Sequence, residues 1–495
     1  NEAENLASEL DVKLDELRST WLADKPRPGG SGWMHYNRTR FAFNTALRHR
    51  LGVSALDPWP QATIIGERAE ESLNALLPAL HANDLERRMG GQLVERSSDL
   101  RHHLMSRESA LVLSPGPISG VGFLISTESV TAFPLASKTR CKDAAARLRG
   151  VVLDRPAHTS VDLQFSGRWD DASAEVVETF FRPEVLQQLV DSDAILIFAR
   201  GLALQLPLEL LRVDGRALCL STVIADVPTP SILARLRSQA GRVSQRNGSA
   251  LLTNLSHPDS LSSIALEEGL LERWVSKSPE PAEVHQGDAV NLATFERGLL
   301  RSRRLGLIYG HGARGSDPER PAAIVLGRSG EETSEPGNLD SAVLESVDVA
   351  DVMVLAACGS SRAPERVGSW GSNHMGGACL LSGSRAVLIS ANDLPAAPTA
   401  HLLDAFLASA HGGSSLGAAL LEARRQIASS GAGAVHPSHY ALPVLFGLPE
   451  VRLSEGLEYG ESASSGAKAV GILAAVCVVM LAFVLLRRTH KVRAD

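Results

Sequence analysis

Cysteine is scarce and unevenly spaced in this chain of 495 residues. An odd number of thiols separated by wide gaps fits neither a disulfide framework nor a paired zinc motif. The five cysteines are Cys141, Cys219, Cys358, Cys379 and Cys477. We therefore expect reduced thiols, and one of them could be reactive.

The chain also lacks an excess of positive charge. Its net charge is −7 and its pI is about 6.1, which argues against a nucleic-acid partner. No metal-ligand cluster and no glycine-rich nucleotide loop are visible, so we expect neither a metal nor another cofactor. Only seven of the 49 basic residues are Lys, and this preference for Arg is typical of GC-rich, mostly bacterial genomes.

The carboxyl-terminal segment is a long apolar stretch without a charge. Ala469–Leu486 contains 18 residues without a charge, enough for a helix of ~27 Å, close to the thickness of a bilayer core. A Ser/Gly/Ala-rich linker over 455–468 precedes it and a basic tail over 487–495 follows it. This pattern predicts a single transmembrane helix. The basic tail favours a domain outside the cytoplasm, whereas no export signal is visible in the first 50 residues. We expect a cytosolic domain.

The remainder divides into two regions. Residues 1–107 show apolar residues at helical spacing and are predicted to be mostly helical. Over 110–454, an early hairpin is followed by short apolar runs that alternate with helical stretches. The runs are Ala194–Phe198, Ala250–Thr253, Leu305–Tyr309, Val352–Ala357, Ala386–Ser390 and Leu442–Phe446. This alternation predicts an α/β domain with a mostly parallel sheet covered by helices on both faces.

Two of the predicted strands end in residues that can carry chemistry. His311 followed by Gly312 ends one strand, and Cys358 followed by Gly359 ends another. If the strands are parallel neighbours, His311 and Cys358 emerge at the same edge of the sheet. A thiolate there could attack an acyl carbon while the imidazole moves the proton. The backbone N–H groups of Gly312 and Cys358 are the candidates for an oxyanion hole.

A purely structural interpretation stays open at this point. A cysteine at the end of a buried strand is commonly a small apolar packing residue, and His-Gly is commonly a turn. Only the occurrence of both at strand ends favours catalysis.

Several motifs in order resemble the CHAT domain, a branch of the caspase-like (clan CD) cysteine peptidases. The resemblance extends from about Ala110 to Leu453. It includes an L-P-x-E-x-L segment around Glu209, a Pro-Ser helix start, His311-Gly312, Ala-Ala-Cys358, a Gly-Ser-Arg element before the next strand, and a closing segment that ends at Gly447.

The resemblance implies a caspase-like fold in which His311 is the general base and acid and Cys358 the nucleophile. Two acidic residues are candidates for the substrate pocket. Asp317 follows His311 by six positions, and Asp393 follows the strand after the nucleophile, where the family often has a Trp that this chain lacks. Both could equally be loop or helix-start residues.

Three functions compete. The first is a membrane-anchored endopeptidase that cuts a protein partner, switched on by a sensor or activating protein, in a bacterial regulatory or defence pathway. The second is a catalytically inactive CHAT-type scaffold at the membrane. The third is a hydrolase of small amides, which would need a deep pocket rather than an open groove. Because both His311 and Cys358 are present, the sequence favours the first function.

Overall fold

A computed structural model describes most of the chain between residues 94 and 454. The described residues are 64–65, 69–70, 73–74, 94, 96–114, 120–153, 163–199, 206–240, 246–254, 270–301, 303–313, 322–328, 336–360, 375–390, 392–430 and 435–454. Most of the predicted helical region, the linker and the predicted membrane segment over 469–486 lie outside these residues. Among the helices that are described, none has the length and hydropathy of a membrane span.

The strands are short and most of them are apolar. They are β1 Ile64–Ile65, β2 Glu108–Ser114, β3 Gly120–Ile125, β4 Val130–Leu135, β5 Ala194–Ala199, β6 Arg212–Val213, β7 Arg216–Ala217, β8 Val223–Asp226, β9 Ser249–Asn254, β10 Ala282–Gln286, β11 Leu305–Gly310, β12 Gly312–Ala313, β13 Ala323–Arg328, β14 Pro336–Asp340, β15 Val352–Ala356, β16 Ala386–Ser390 and β17 Pro443–Gly447. Each predicted apolar run corresponds to one of these strands to within two residues at either end.

The helices lie between the strands. They are α1 Ser97–His102, α2 Lys138–Leu153, α3 Leu163–Phe180, α4 Pro183–Val190, α5 Pro230–Ala240, α6 over 270–277, α7 Leu292–Glu296, α8 Ser341–Ser346, α9 Met375–Leu381, α10 Ala396–His411 and α11 Leu416–Ser429. Local side-chain chemistry determines where several of these helices begin. Asp340 caps α8 by accepting from the Val343 N–H, and Ser415 caps α11 by accepting from the Ala418 N–H. Pro183 occupies the first turn of α4, where no N–H is needed.

Twelve strands form one sheet in the order β1-β4-β3-β2-β5-β8-β17-β16-β15-β11-β9-β10. Strands β9, β10, β11, β15 and β16 run parallel to one another and are called the Cys358 half. Strands β2, β5, β8 and β17 also run parallel to one another and are called the Asp226 half. Because β16 and β17 pair antiparallel, the parallel strands of the two halves end at opposite edges.

The core follows the two faces of this sheet. All five residues of β15 and all five of β16 are buried, as expected for central strands covered on both sides. The predicted mostly parallel sheet flanked by helices is therefore confirmed, as is the early hairpin, in which β3 and β4 pair antiparallel. Two features are not apparent from the sequence. They are the reversal of direction between β16 and β17 and the pairing of Ile64–Ile65 with β4 at the edge of the sheet.

Candidate active site

The register of β11 and β15 brings the two predicted reactive residues to one edge. The strands are parallel neighbours, and Tyr309 pairs with Ala356 at the end of the ladder. His311 lies two residues beyond Tyr309, and Cys358 lies two residues beyond Ala356. The same offset on adjacent parallel strands places both residues at the carboxyl edge of the Cys358 half. The two strands are therefore parallel neighbours, as the predicted proximity of His311 and Cys358 requires.

The backbones behind these two side chains are in direct contact. A Cβ built on Gly312 would lie 1.8 Å from the carbonyl oxygen of Cys358 and 2.8 Å from its carbonyl carbon. Only glycine permits this approach, because the obstacle is backbone rather than a flexible side chain. On the other side, the carbonyl oxygen of His311 accepts a hydrogen bond from the Val325 N–H, 2.8 Å away. His311 is therefore held between strand β13 and the loop Ala357–Ser360, which we call the Cys358 loop.

Cys358 differs from the other thiols that the structure describes. Cys141, Cys219 and Cys379 are buried, whereas Cys358 is partly exposed. Burial raises the pKa of Cys141 and of Cys219 to about 12, and it raises the pKa of Cys379 as well. Those three thiols stay protonated near neutral pH and serve as small apolar packing groups. Among the described residues, Cys358 is the thiol that a substrate can reach.

The segment that follows β16 contacts the Cys358 loop. We call Asn392–Leu394 the strap. The Leu394 N–H donates to the sulfur of Cys358 at 3.3 Å, and the Gly359 N–H donates to the carbonyl oxygen of Asn392 at 3.0 Å. Gly359 has φ +64°, a conformation that favours glycine at this turn. Because the Gly359 N–H is engaged, the Cys358 N–H remains the better oxyanion candidate on this loop.

A serine pair fixes the base of the same loop. The Ser360 hydroxyl donates to the carbonyl oxygen of Leu355 at 3.1 Å and accepts from the Ser390 N–H at 3.0 Å. Both serines are buried, with at most 1 % of their surface exposed. These bonds join the ends of β15 and β16 beneath the sulfur. The sequence indicates the strap only through Asp393 as a pocket candidate, whereas the Leu394 contact with the sulfur and the bonds of the serine pair are not apparent from it.

The other predicted site residues divide into two groups. Asp393 lies in the strap, is exposed, and is flanked by the two residues that contact the Cys358 loop. Asp317 lies outside the described residues. The pocket roles of both acids and the oxyanion roles of Gly312 and Cys358 stay predictions. Within the described parts of the chain, no group of His, Cys, Asp and Glu is arranged to hold a metal ion.

A comparison with known protein families shows to which family the chain belongs. Residues 170–447, more than half of the chain, match the CHAT domain. The chain belongs to the CHAT domain family. The family match begins within α3 and ends with β17, and it includes His311 and Cys358. No curated protein matches the chain.

Two solved structures match the chain at low sequence identity. The Saccharomyces cerevisiae separase in its complex with securin matches with a TM-score of 0.54 and 10 % identity, over 89 % of this chain and 40 % of that chain. The Arg-specific cysteine proteinase gingipain R matches with a TM-score of 0.38 and 11 % identity, over 55 % of this chain and 68 % of that chain. This CHAT protein thus spans less than half of the separase chain. The separase match supports a caspase-like, cysteine peptidase-like α/β fold.

Proposed function

We propose that this CHAT protein is a membrane-anchored cysteine endopeptidase in which His311 and Cys358 form the catalytic dyad. The observation that carries the proposal is the common offset of the two residues beyond the paired strands β11 and β15, with Gly312 packed against the Cys358 backbone. The partial exposure of Cys358, in contrast to the buried Cys141, Cys219 and Cys379, supports the same assignment.

The reaction follows from the chemistry of the two side chains. The proton of the Cys358 thiol passes to the His311 imidazole, and the thiolate attacks the carbonyl carbon of the scissile peptide. The developing oxyanion is stabilised by the backbone N–H groups of Gly312 and Cys358. His311 then protonates the leaving amine, and water hydrolyses the thioester to regenerate the thiol.

The substrate in this proposal is a protein, cut at a flexible segment. Among the residues that the structure describes, the edge that carries Cys358 is formed by strand ends and by the strap, an arrangement that suits an extended peptide. The separase structure is a complex with a second protein, securin, which supports a protein partner for this chain. We further propose that an activating or sensor protein switches the peptidase on. The peptidase then acts in a bacterial regulatory or defence pathway.

Cleavage of a diverse peptide library by the full chain in detergent tests the peptidase assignment. Wild-type protein is expected to cleave a subset of peptides, and Cys358→Ala is expected to lower the rate at least about 1,000-fold. The matched control is Cys379→Ala, which removes a buried thiol of α9, the helix that precedes β16, and should retain activity. Equal cleavage by the wild type and Cys358→Ala contradicts the dyad, and no cleavage by any form favours the scaffold alternative.

The membrane anchor is tested separately. The uncharged segment Ala469–Leu486 supports it. Replacing Val476 and Val479 with Arg places two charges at the centre of that segment, each costing about 3 kcal/mol of insertion free energy. The full-length double variant should move from the carbonate-resistant membrane fraction to the supernatant, whereas the wild type should remain in the membrane. Protease protection in sealed vesicles then reports whether the domain faces the cytosol, as proposed.

A further inference from the structure

The strap gives the Cys358 sulfur a hydrogen-bond donor that the dyad does not include. The Leu394 N–H lies 3.3 Å from the sulfur. A donor directed at the sulfur favours the thiolate over the neutral thiol, because the bond strengthens when the acceptor becomes charged. The amide also lies just before the amino end of α10, which carries partial positive charge. The Leu394 N–H is therefore placed to stabilise negative charge on the Cys358 sulfur.

The local sequence explains why the amide is presented at this place. Pro395 follows Leu394, so Leu394 is restricted to an extended backbone and Pro395 itself has no N–H to compete. Pro395 is the N-cap of α10, and Ala396 is the first helical residue. The strap and the start of α10 are thus one continuous unit, and the unit must be held against the sheet for Leu394 to reach the sulfur.

Tyr309 holds that unit. Its hydroxyl donates to the carbonyl oxygen of Ala396 at 3.0 Å, two residues beyond the amide that contacts Cys358. Tyr309 lies on β11, two residues before His311, and only 4 % of it is exposed. The ring of Trp274 on α6 packs edge-on against the Tyr309 ring, with 6.0 Å between centroids. The tyrosine side chain is therefore itself fixed, and it joins the strand that carries His311 to the helix that presents the Leu394 N–H.

We propose that Tyr309 is a positioning residue for the nucleophile: by anchoring the start of α10 it keeps the Leu394 N–H on the Cys358 sulfur and stabilises the thiolate. The catalytic meaning of this contact rests on the proposed function. The contact itself concerns only the ionisation of one thiol. In that step the proton leaves the sulfur for the His311 imidazole, and the Leu394 N–H bond shortens onto the charged sulfur without transferring its own proton.

The test measures alkylation of Cys358 by iodoacetamide in the full-length protein, followed by mass spectrometry of the peptide that contains Cys358. Only the thiolate reacts, so the rate reports ionisation without requiring a substrate. Tyr309→Phe removes one hydroxyl and keeps the ring against Trp274. It should slow alkylation about fivefold near pH 7, the effect of one lost hydrogen bond, and should match the wild type at about pH 9.5, above the ordinary pKa of a cysteine side chain.

Tyr440→Phe is the matched control. Tyr440 is buried to the same degree, with 4 % exposed, and lies just before β17 in the Asp226 half. It should alkylate at the wild-type rate at both pH values. If Tyr440→Phe slows Cys358 as much as Tyr309→Phe does, the effect is general loosening of the fold and the inference is wrong. It is equally wrong if Tyr309→Phe reacts at the wild-type rate near pH 7, or is slowed equally at both pH values.

A double-mutant cycle tests whether Tyr309 acts on Cys358 through the Leu394 N–H. Leu394→Pro removes the amide N–H at a position that is already extended, and it should slow alkylation near pH 7 at least as much as Tyr309→Phe. If Tyr309 acts through that amide, the double variant should react no more slowly than Leu394→Pro alone. Additive losses would show that Tyr309 acts by another route. A protein that cleaves no peptide but shows the non-additive pattern retains this inference and loses only the peptidase assignment.

Discussion

The two halves of the sheet treat their strand ends in opposite ways. In the Cys358 half, β11 and β15 lead into His311 and Cys358, which are both partly exposed and flanked by glycine. In the Asp226 half, β8 ends in Asp226, whose pKa is raised well above its usual range by burial and, secondarily, by the nearby charge of Glu209. Strand ends gather side chains at both edges, but only at the Cys358 edge do they bring a thiol and an imidazole together.

The Asp226 half uses its ionisable groups inside the protein. Glu209 is 5 % exposed, and burial raises its pKa while the positive charge of Arg424 opposes the rise. Arg424 is 1 % exposed and donates to the carbonyl oxygens of Tyr440 at 3.2 Å and Pro443 at 2.6 Å. These groups connect α11 and the L-P-x-E-x-L segment to β17. The contrast indicates that changes in the Asp226 half should affect stability, and changes at the Cys358 edge should affect reactivity.

The largest expected effect on stability comes from a buried ion network of the Asp226 half. Arg237 on α5 pairs with Glu108 at the start of β2 at 2.7 Å and with Glu450 after β17 at 2.7 Å. Glu108 is only 3 % exposed. Arg237→Met leaves that carboxylate buried without its cation, which should cost about 3–5 kcal/mol of unfolding free energy. Denaturant unfolding measures the loss.

The double variant Arg237→Met with Glu108→Gln serves as control for this network. Removing both charges should recover part of the lost stability, because the unpaired carboxylate is the main penalty. Alkylation of Cys358 under native conditions should be unchanged in both variants. A large change in Cys358 reactivity without a change in stability would contradict the division between the two halves.

The largest expected effect on reactivity comes from Gly312. In Gly312→Ala, the new methyl group meets the Cys358 carbonyl 1.8 Å away, so the two strand ends must separate. A displacement of about 1 Å at a reacting centre costs about 100-fold in rate, and we expect at least that loss of peptide cleavage. The control is Gly337→Ala on β14, where the nearest atom is 3.7 Å away and activity should persist. If Gly312→Ala cleaves peptides at the wild-type rate, the close approach of His311 to Cys358 is not needed for the reaction.

The sequence predicted the Cys358 edge better than the rest of the site. Buried parallel strands are recognisable as apolar runs, and a His or Cys that follows such a run must appear at the sheet edge, which is how His311 and Cys358 were found. The Tyr309 hydroxyl and the Leu394 N–H were not found, because their partners are 87 and 36 positions away and no local pattern marks such contacts. The reversal at β17 was missed for a similar reason, since an apolar run carries no direction.

Asp226 provides a pH-dependent test of the same comparison. A carboxyl whose pKa is raised on folding is neutral in the folded protein and ionised in the unfolded chain above about pH 4. The wild type should therefore lose stability as the pH rises from about 4 through the raised folded pKa. Asp226→Asn should be more stable than the wild type at about pH 8, with the difference shrinking toward pH 4. Melting temperatures across this range measure the effect, and a difference that grows toward pH 4 would contradict the assignment.

The smallest expected effect concerns a second glycine and sharpens the contrast with Gly312. Gly167 lies within α3 and is exposed, and a Cβ built there meets nothing within 4 Å. Gly167→Ala should therefore raise the unfolding free energy by about 0.5–1 kcal/mol, because alanine loses less backbone entropy in a helix. Denaturant unfolding checks the gain, and peptide cleavage should not change. Alanine is thus expected to stabilise the protein at Gly167 without affecting chemistry and to disable it at Gly312, because there the methyl group displaces the Cys358 backbone. A Gly167 variant that lost activity would show that α3 communicates with the Cys358 edge and that the halves are not separable in function.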